Sequence, residues 1–470
     1  LGTEQAADVL IYERPDQPDY GFQPIVTDDK ELLVLHVWQG TDTRNRIYYR
    51  QLQSGGGFNR LLDDFDAKYQ LIGHVNGSLY ILTDRDAPRG RIVAIPLDDP
   101  DVENWVEVVA ETGDTLEFAA LVAGRLVTGS LRDACHVVAV WALDGSPVGE
   151  LDLPALGTVT EFAGKPSHDE FFLGFQSFAH SPTVLKYSIT TGELATFVEP
   201  ATGVDPNEFT TTQIWAESAD GTAIPIFITH RADLEPDGTT PTILYGYGGF
   251  DIPMTPLYAP DRLGFVERGG IFAVANLRGG GEYGLDWHQA GMFGNKQNVF
   301  DDFTAAAEHL IAAGYTSSAN LGIYGRSNGG LLVTACLLQR PELFGAVVGM
   351  VPVTDMLRYH RFTAGRYWTA EYGNAEDSRE HFEFLHDYSP LHNVTAGDYP
   401  PTMITTGDSD DRVVPLHSYK FIAELQHALD DSGPALLRVD RRAGHGLGKP
   451  IAKLIDEAAD IYAFFWHHLT

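Results

Sequence analysis

A serine hydroxyl attacks well only when a base takes its proton and an acid holds that base in the right tautomer. This sequence offers such a set in chain order. The stretch "LGIYGRSNGGLLVTACLLQRP" (321–341) places Ser327 within Gly325-x-Ser327-x-Gly329. "TTGDSDDRVVPLHS" supplies Asp408, Asp410 and Asp411, and "RRAGHGLGKP" supplies His445 between two glycines. Spacing alone does not choose among the three aspartates. His417 lies close to them, but at the start of a helical stretch it is a poorer base.

Chemistry of this kind needs elements that bring the three groups to one place. Residues 321–324 read as a strand and 328–339 as a helix ended by Arg340-Pro341. Strand, sharp turn, helix is the setting of a nucleophile elbow, in which small residues at 325 and 329 allow close approach. Further strands are expected at 241–249, 271–279, 346–353, 401–407 and 435–442, with helices at 301–314, 416–430 and 451–469. This alternation predicts a doubly wound, mainly parallel sheet of the α/β-hydrolase kind over residues 206–470. The acid loop and the histidine loop each follow one of its strands. The proline, glycine and acids of 199–209 read as a linker.

Residues 1–205 follow another period. "ELLVLHV", "SLYILTD", "RLVTGSL" and "EFFLGFQ" begin at 31, 78, 125 and 170, spaced by 47, 47 and 45 residues. A second set of strands, anchored at Ile47, Ile92, Val137 and Val184, repeats at 45, 45 and 47. Two sets in step predict an all-β propeller of four-stranded blades rather than a sandwich. The opening "EQAADVLIYER" reads as the later half of a further blade, so about four and a half blades are expected, the ring lacking its N-terminal part.

The composition is that of a soluble globular protein. A net charge of −33, from 65 acidic and 32 basic residues, argues against nucleic acid or anionic membrane as partners. Only eight of the basic residues are lysine. A salt-adapted surface is the sharper reading of this acidity, and a merely solvated one the plainer. Cys135 and Cys336 form no Cys-x-x-Cys pair, and no His/Cys/Glu spacing suggests a metal, so neither metal nor cofactor is expected.

"YGYGGF", "NLRGGGEYG", "NKQNVFDDF", "SNGGLL", "YSPLHNV", "DDRVVPLHS" and "AGHGLGKP" occur in order, and the chain resembles the prolyl oligopeptidase family of serine peptidases. The resemblance implies a seven-bladed propeller joined to an α/β-hydrolase domain that also uses a segment before the propeller. By that comparison the missing parts lie either on a separate N-terminal polypeptide or in a longer protein of which this chain is a fragment; a cytoplasmic location is favoured, with a periplasmic or secreted one as the alternative. The resemblance makes Ser327 the nucleophile, His445 the base and Asp410 the acid. It makes the Tyr247 hydroxyl and the Asn328 amide the oxyanion donors. Trp368, Phe250, Val353, Tyr372 and Val413 become a proline pocket, and Arg412 the residue that holds a substrate carbonyl. Arg326 and Ser409 depart from the family, which often has glycine before the serine and histidine before the two aspartates. The implied activity is hydrolysis of short peptides after proline. Oligopeptidase, acylaminoacyl-peptidase or esterase specificity on the same fold, or an inactive binding scaffold, are the alternatives.

Overall fold

The computed structural model describes residues 2–53, 56–429, 433–446 and 448–470. Its first part is four antiparallel sheets, each of four strands in chain order. The first blade is Tyr20–Val26, Leu32–Gln39, Asn45–Gln51 and Asn59–Leu62. The second spans Tyr69–Val75 to Val106–Val109, the third Thr115–Val122 to Pro147–Glu150, and the fourth Thr158–Ala163 to Leu194–Val198.

The repeating sequence anchors are the second and third strands of each blade. These strands bond on both edges and pack between neighbouring blades, so they must be apolar. Outer strands escape that demand: all four residues of Pro147–Glu150 are exposed. The expected half-blade at the start is not formed. Residues 8–14 carry no strand, and Val9, Leu10 and Ile11 are 80%, 66% and 50% exposed. A β-prone run becomes a strand only where a neighbour satisfies its peptide groups. This one pairs with none among the described residues.

The second part is built on one eight-stranded sheet. Its strands are β1 (Phe209–Glu217), β2 (Ala223–Arg231), β3 (Thr242–Tyr245), β4 (Ile271–Ala275), β5 (Leu321–Arg326), β6 (Ala346–Met350), β7 (Thr402–Gly407) and β8 (Ala435–Asp440). The order is β1-β2-β4-β3-β5-β6-β7-β8. β1 and β2 are antiparallel to their neighbours, and the rest are parallel. The sequence reading omits the β1–β2 hairpin, because the threonines of "FTTTQIWAE" give the half-exposed edge strand a polar look.

The helices are α1 (Pro260–Glu267), α2 (Leu285–Gln289), α3 (Gln297–Ala312), α4 (Asn328–Gln339), α5 (Thr369–Tyr372), α6 (Arg379–Tyr388), α7 (Leu416–Ala428) and α8 (Ile451–Leu469). Asp430, the last residue of one expected helix, lies outside the described residues. Successive strand residues serve opposite faces of the sheet. Leu244, Ala273 and Val347 join Phe300, Phe303, Leu331 and Phe421 on the side of α3, α4 and α7. Ile243, Phe272 and Val348 join Phe265 and Phe465 on the side of α1 and α8. Helices on both faces explain why these strands read as continuous apolar runs. Among the described residues no helix is long and apolar enough to cross a membrane.

Candidate active site

Ser327 sits between β5 and α4 with φ 58° and ψ −115°, a conformation that a side-chain-bearing residue adopts only under constraint. Its N–H donates to the Met350 carbonyl at 2.9 Å, and its own carbonyl accepts from Gly330 and Leu331. The turn closes because its glycines leave no space for a side chain. A Cβ on Gly325 would lie 2.0 Å from the Gly329 oxygen, and one on Gly329 2.6 Å from the Gly246 oxygen. Ten of the twelve residues of α4 are buried, so the helix that follows the serine is fixed on all sides.

Geometry separates the three aspartates. Asp410 Oδ2 lies 2.7 Å from His445 Nδ1, and Asp410 Oδ1 accepts from the Arg412 and Val413 amides at 2.9 and 3.0 Å. The Asp410 side chain is fully buried. Asp408 instead accepts from Ser409 Oγ and from the amides of Arg442 and Ala443, bracing the base of the histidine loop. Asp411 is exposed. With Nδ1 engaged by Asp410, Nε2 of His445 is the ring nitrogen left free of that contact. His417 has no such freedom. It is buried, its Nδ1 accepts from the Thr354 and Asp355 amides, and burial lowers its pKa to about 4.

Arg326 was a departure without a role in the sequence. Its guanidinium Nη2 donates to the backbone carbonyl of His445. The same nitrogen lies against Gly446, where a Cβ would come within 2.0 Å of it and where φ is +117°. The residue before the serine thus grips the loop that carries the histidine.

The Tyr247 phenol shares the cleft with Ser327, and burial raises its pKa, so it stays neutral. Asn328 is the first residue of α4, where an N–H has no carbonyl of its own helix to bond. Its side chain is engaged: Nδ2 donates to the Tyr247 carbonyl at 2.5 Å, and Oδ1 accepts from the Tyr372 hydroxyl at 2.8 Å. A cleft of about 630 Å³ opens beside the serine. Ser327, Tyr247, Phe250, Val353, Trp368, Tyr372 and Arg412 all line it. Phe250 meets Tyr372 edge to face at 5.3 Å, and the Trp368 indole lies parallel to the Tyr359 ring at 6.2 Å. Val413 is buried and does not line the cleft; what it gives the site is the amide on Asp410.

The opposite wall comes from the first propeller blade and the residues just before it, including Asp19, Tyr20 and Trp38. Nothing in the sequence singled these out, since their place depends on how the two parts meet. That contact includes Lys68 to Asp251 at 3.2 Å and the Thr41 hydroxyl to the Tyr367 carbonyl at 2.7 Å. Exposed Asp29 and Glu31 also converge with the half-buried His74, on the propeller, their side-chain N and O atoms within 4.8 Å of one another.

Two family models match the chain: "Prolyl oligopeptidase family" over residues 260–470, and "Prolyl oligopeptidase, N-terminal beta-propeller domain" over 1–200. A solved structure from a mechanistic study of two prolyl endopeptidases is 40% identical, with a TM-score of 0.95 over 100% of this chain and 69% of that one. The chain belongs to the prolyl oligopeptidase family. The prolyl endopeptidase of Elizabethkingia meningoseptica is 40% identical over 465 residues, and the chain spans 66% of its length. Prolyl oligopeptidase B of Galerina marginata, solved with a 35-residue hydrolysis and macrocyclization substrate, is 33% identical with a TM-score of 0.95, covering 100% of this chain and 68% of that one.

Proposed function

We propose that this chain carries the catalytic centre of a serine endopeptidase that hydrolyses short peptides on the carboxyl side of proline. The observation that carries the reading is the single cleft in which Ser327 and Tyr247 share walls with Trp368, Phe250 and Tyr372. Flat aromatic surface suits a pyrrolidine ring, which buries apolar area and offers no N–H.

In this reading His445 Nε2 takes the Ser327 proton as Oγ attacks the prolyl carbonyl, and Asp410 steadies the imidazolium. Tyr247 and the Asn328 amide donate to the developing oxyanion. A neutral phenol serves there because it donates without bringing a charge that substrate binding would have to desolvate. His445 then protonates the leaving amine, and water releases the acyl group by the reverse path. Arg412, exposed on the cleft wall, is placed to bond a substrate carbonyl.

A panel of prolyl, arginyl and acyl-alanyl reporters tests the specificity. Clear preference for the prolyl reporter supports it, and equal or better turnover of either rival refutes the post-proline assignment. Labelling by a fluorophosphonate, lost in Ser327→Ala, separates an enzyme from a binding scaffold.

A further inference from the structure

Beneath the cleft lies a buried group of charges that the mechanism above does not use. Lys296, Glu371 and His288 are 1%, 2% and 3% exposed. Lys296 Nζ stands 3.9 Å from Glu371 Oε1, and His288 Nε2 stands 2.8 Å from Glu371 Oε2. Burying such groups is costly, and well-packed apolar residues often serve stability as well or better. Their other contacts indicate what they do. Lys296 Nζ donates to the Gly248 carbonyl at 2.7 Å. Glu371 Oε1 accepts from the Phe250 amide at 2.9 Å. With Asn328 Nδ2 on the Tyr247 carbonyl, three peptide groups of one short turn are each held by a buried side chain from a different place in the chain.

That turn needs holding. Gly248, Phe250 and Asp251 have φ of 63°, 62° and 58°, a region that residues other than glycine rarely adopt. Tyr247 stands at its start. Glu371 also sits in the four-residue helix α5, between Trp368 and Tyr372, both of which line the cleft.

We infer that the Lys296–Glu371 pair is a positioning device, fixing the turn so that the Tyr247 phenol points at the oxyanion. Neither charge touches substrate. The inference rests on Tyr247 being the oxyanion donor, as proposed above.

A mutant cycle tests it. Lys296→Met/Glu371→Leu replaces the pair by apolar groups, and Tyr247→Phe removes the phenolic hydroxyl. Loss of one oxyanion donor is expected to lower kcat by about 10²-fold. The double replacement is expected to lower kcat by about 10- to 100-fold with KM within about threefold, and to add less than about threefold in the Tyr247→Phe background. A loss of the same size in both backgrounds overturns the inference, because the damage then does not pass through the phenol. Unchanged kcat in the double replacement overturns it while leaving Tyr247 its role. Unchanged kcat in Tyr247→Phe removes the oxyanion assignment, and this inference with it. Single variants cover the case in which the double replacement does not fold. Glu371→Gln keeps an acceptor for the Phe250 amide and is expected to lose less than about fivefold, against at least tenfold for Glu371→Leu. Equal losses in the two refute the proposed bond to the turn.

Discussion

Removing the guanidinium of Arg326 is expected to weaken catalysis through the base rather than through substrate binding. The histidine loop runs through Gly444, Gly446 and Gly448, and the last two have φ of +117° and +73°. Such a loop has much conformational freedom to lose. Among the ties that restrain it are Arg326 on the His445 carbonyl, Asp410 on Nδ1 at 2.7 Å, the Ser409 amide on the Ala443 carbonyl at 3.0 Å, and Asp408 on the Arg442 amide at 2.6 Å. A hydrogen bond from a charged donor contributes about 1.5–3 kcal/mol. At 1.4 kcal/mol for each factor of ten, its complete loss bounds the effect near 100-fold. The remaining ties share the load, so Arg326→Met is expected to lower kcat/KM about tenfold. Arg326→Lys keeps a donor and recovers part of the loss. The assay pairs turnover of a prolyl reporter with the second-order rate of fluorophosphonate labelling. Labelling needs His445 to take the Ser327 proton but involves no amide leaving group or proline pocket. Both rates fall together if Arg326 positions the base. A change of less than twofold in both, at unchanged melting temperature, refutes the reasoning. A fall in turnover alone moves Arg326 to substrate binding.

Asp410→Asn is expected to lower kcat by about 10³- to 10⁴-fold, as loss of the tautomer-fixing acid does elsewhere. Asp408→Asn should cost only severalfold and Asp411→Asn nearly nothing, measured with the same reporter. Trp368→Ala removes one face of the cleft; ~80 Å² of contact at ~25 cal/mol per Å² is ~2 kcal/mol, or roughly a 30-fold loss in kcat/KM for a prolyl reporter. That loss should be much smaller for an alanyl one. His417 binds its proton with a pKa of about 4 when folded against 6.5 in the free side chain, so the unfolded chain holds more protons between those values. Stability is therefore expected to fall as pH drops from about 6.5 to 4, by at most about 3 kcal/mol from this group. His417→Asn, which keeps an acceptor for the Thr354 and Asp355 amides, should flatten that acid limb in denaturant midpoints measured at pH 4.5 and 7.

What could be read in the sequence follows what each residue is constrained by. The middle strands of the blades and β3 to β7 were legible because burial on both sides forces apolar runs. Outer blade strands and β1 were not, since one exposed edge relaxes that demand. Ser327 and His445 stood out through local turn chemistry. The choice of Asp410 over its neighbours depends on which carboxylate turns inward to the His445 ring, and no spacing records that. Arg326, Lys296 and Glu371 act across 119, 48 and 121 residues of chain on His445, Gly248 and Phe250. Taken singly, each reads as an ordinary charged residue. The propeller wall of the cleft is likewise a product of how two separately legible parts meet.

The packed elbow also bears on how functional sites are recognised from tolerance to change. An exhaustive substitution scan would score Gly325 and Gly329 as intolerant as Ser327, although neither glycine contributes an atom to the reaction. Their intolerance comes from volume: a single added methyl would overlap a backbone oxygen 2.0 or 2.6 Å away. Rescue chemistry distinguishes the two kinds of sensitivity. Restoring a nucleophile at 327, as in Ser327→Cys, leaves a residue that a thiol reagent can still find, whereas no side chain at 325 or 329 restores the turn.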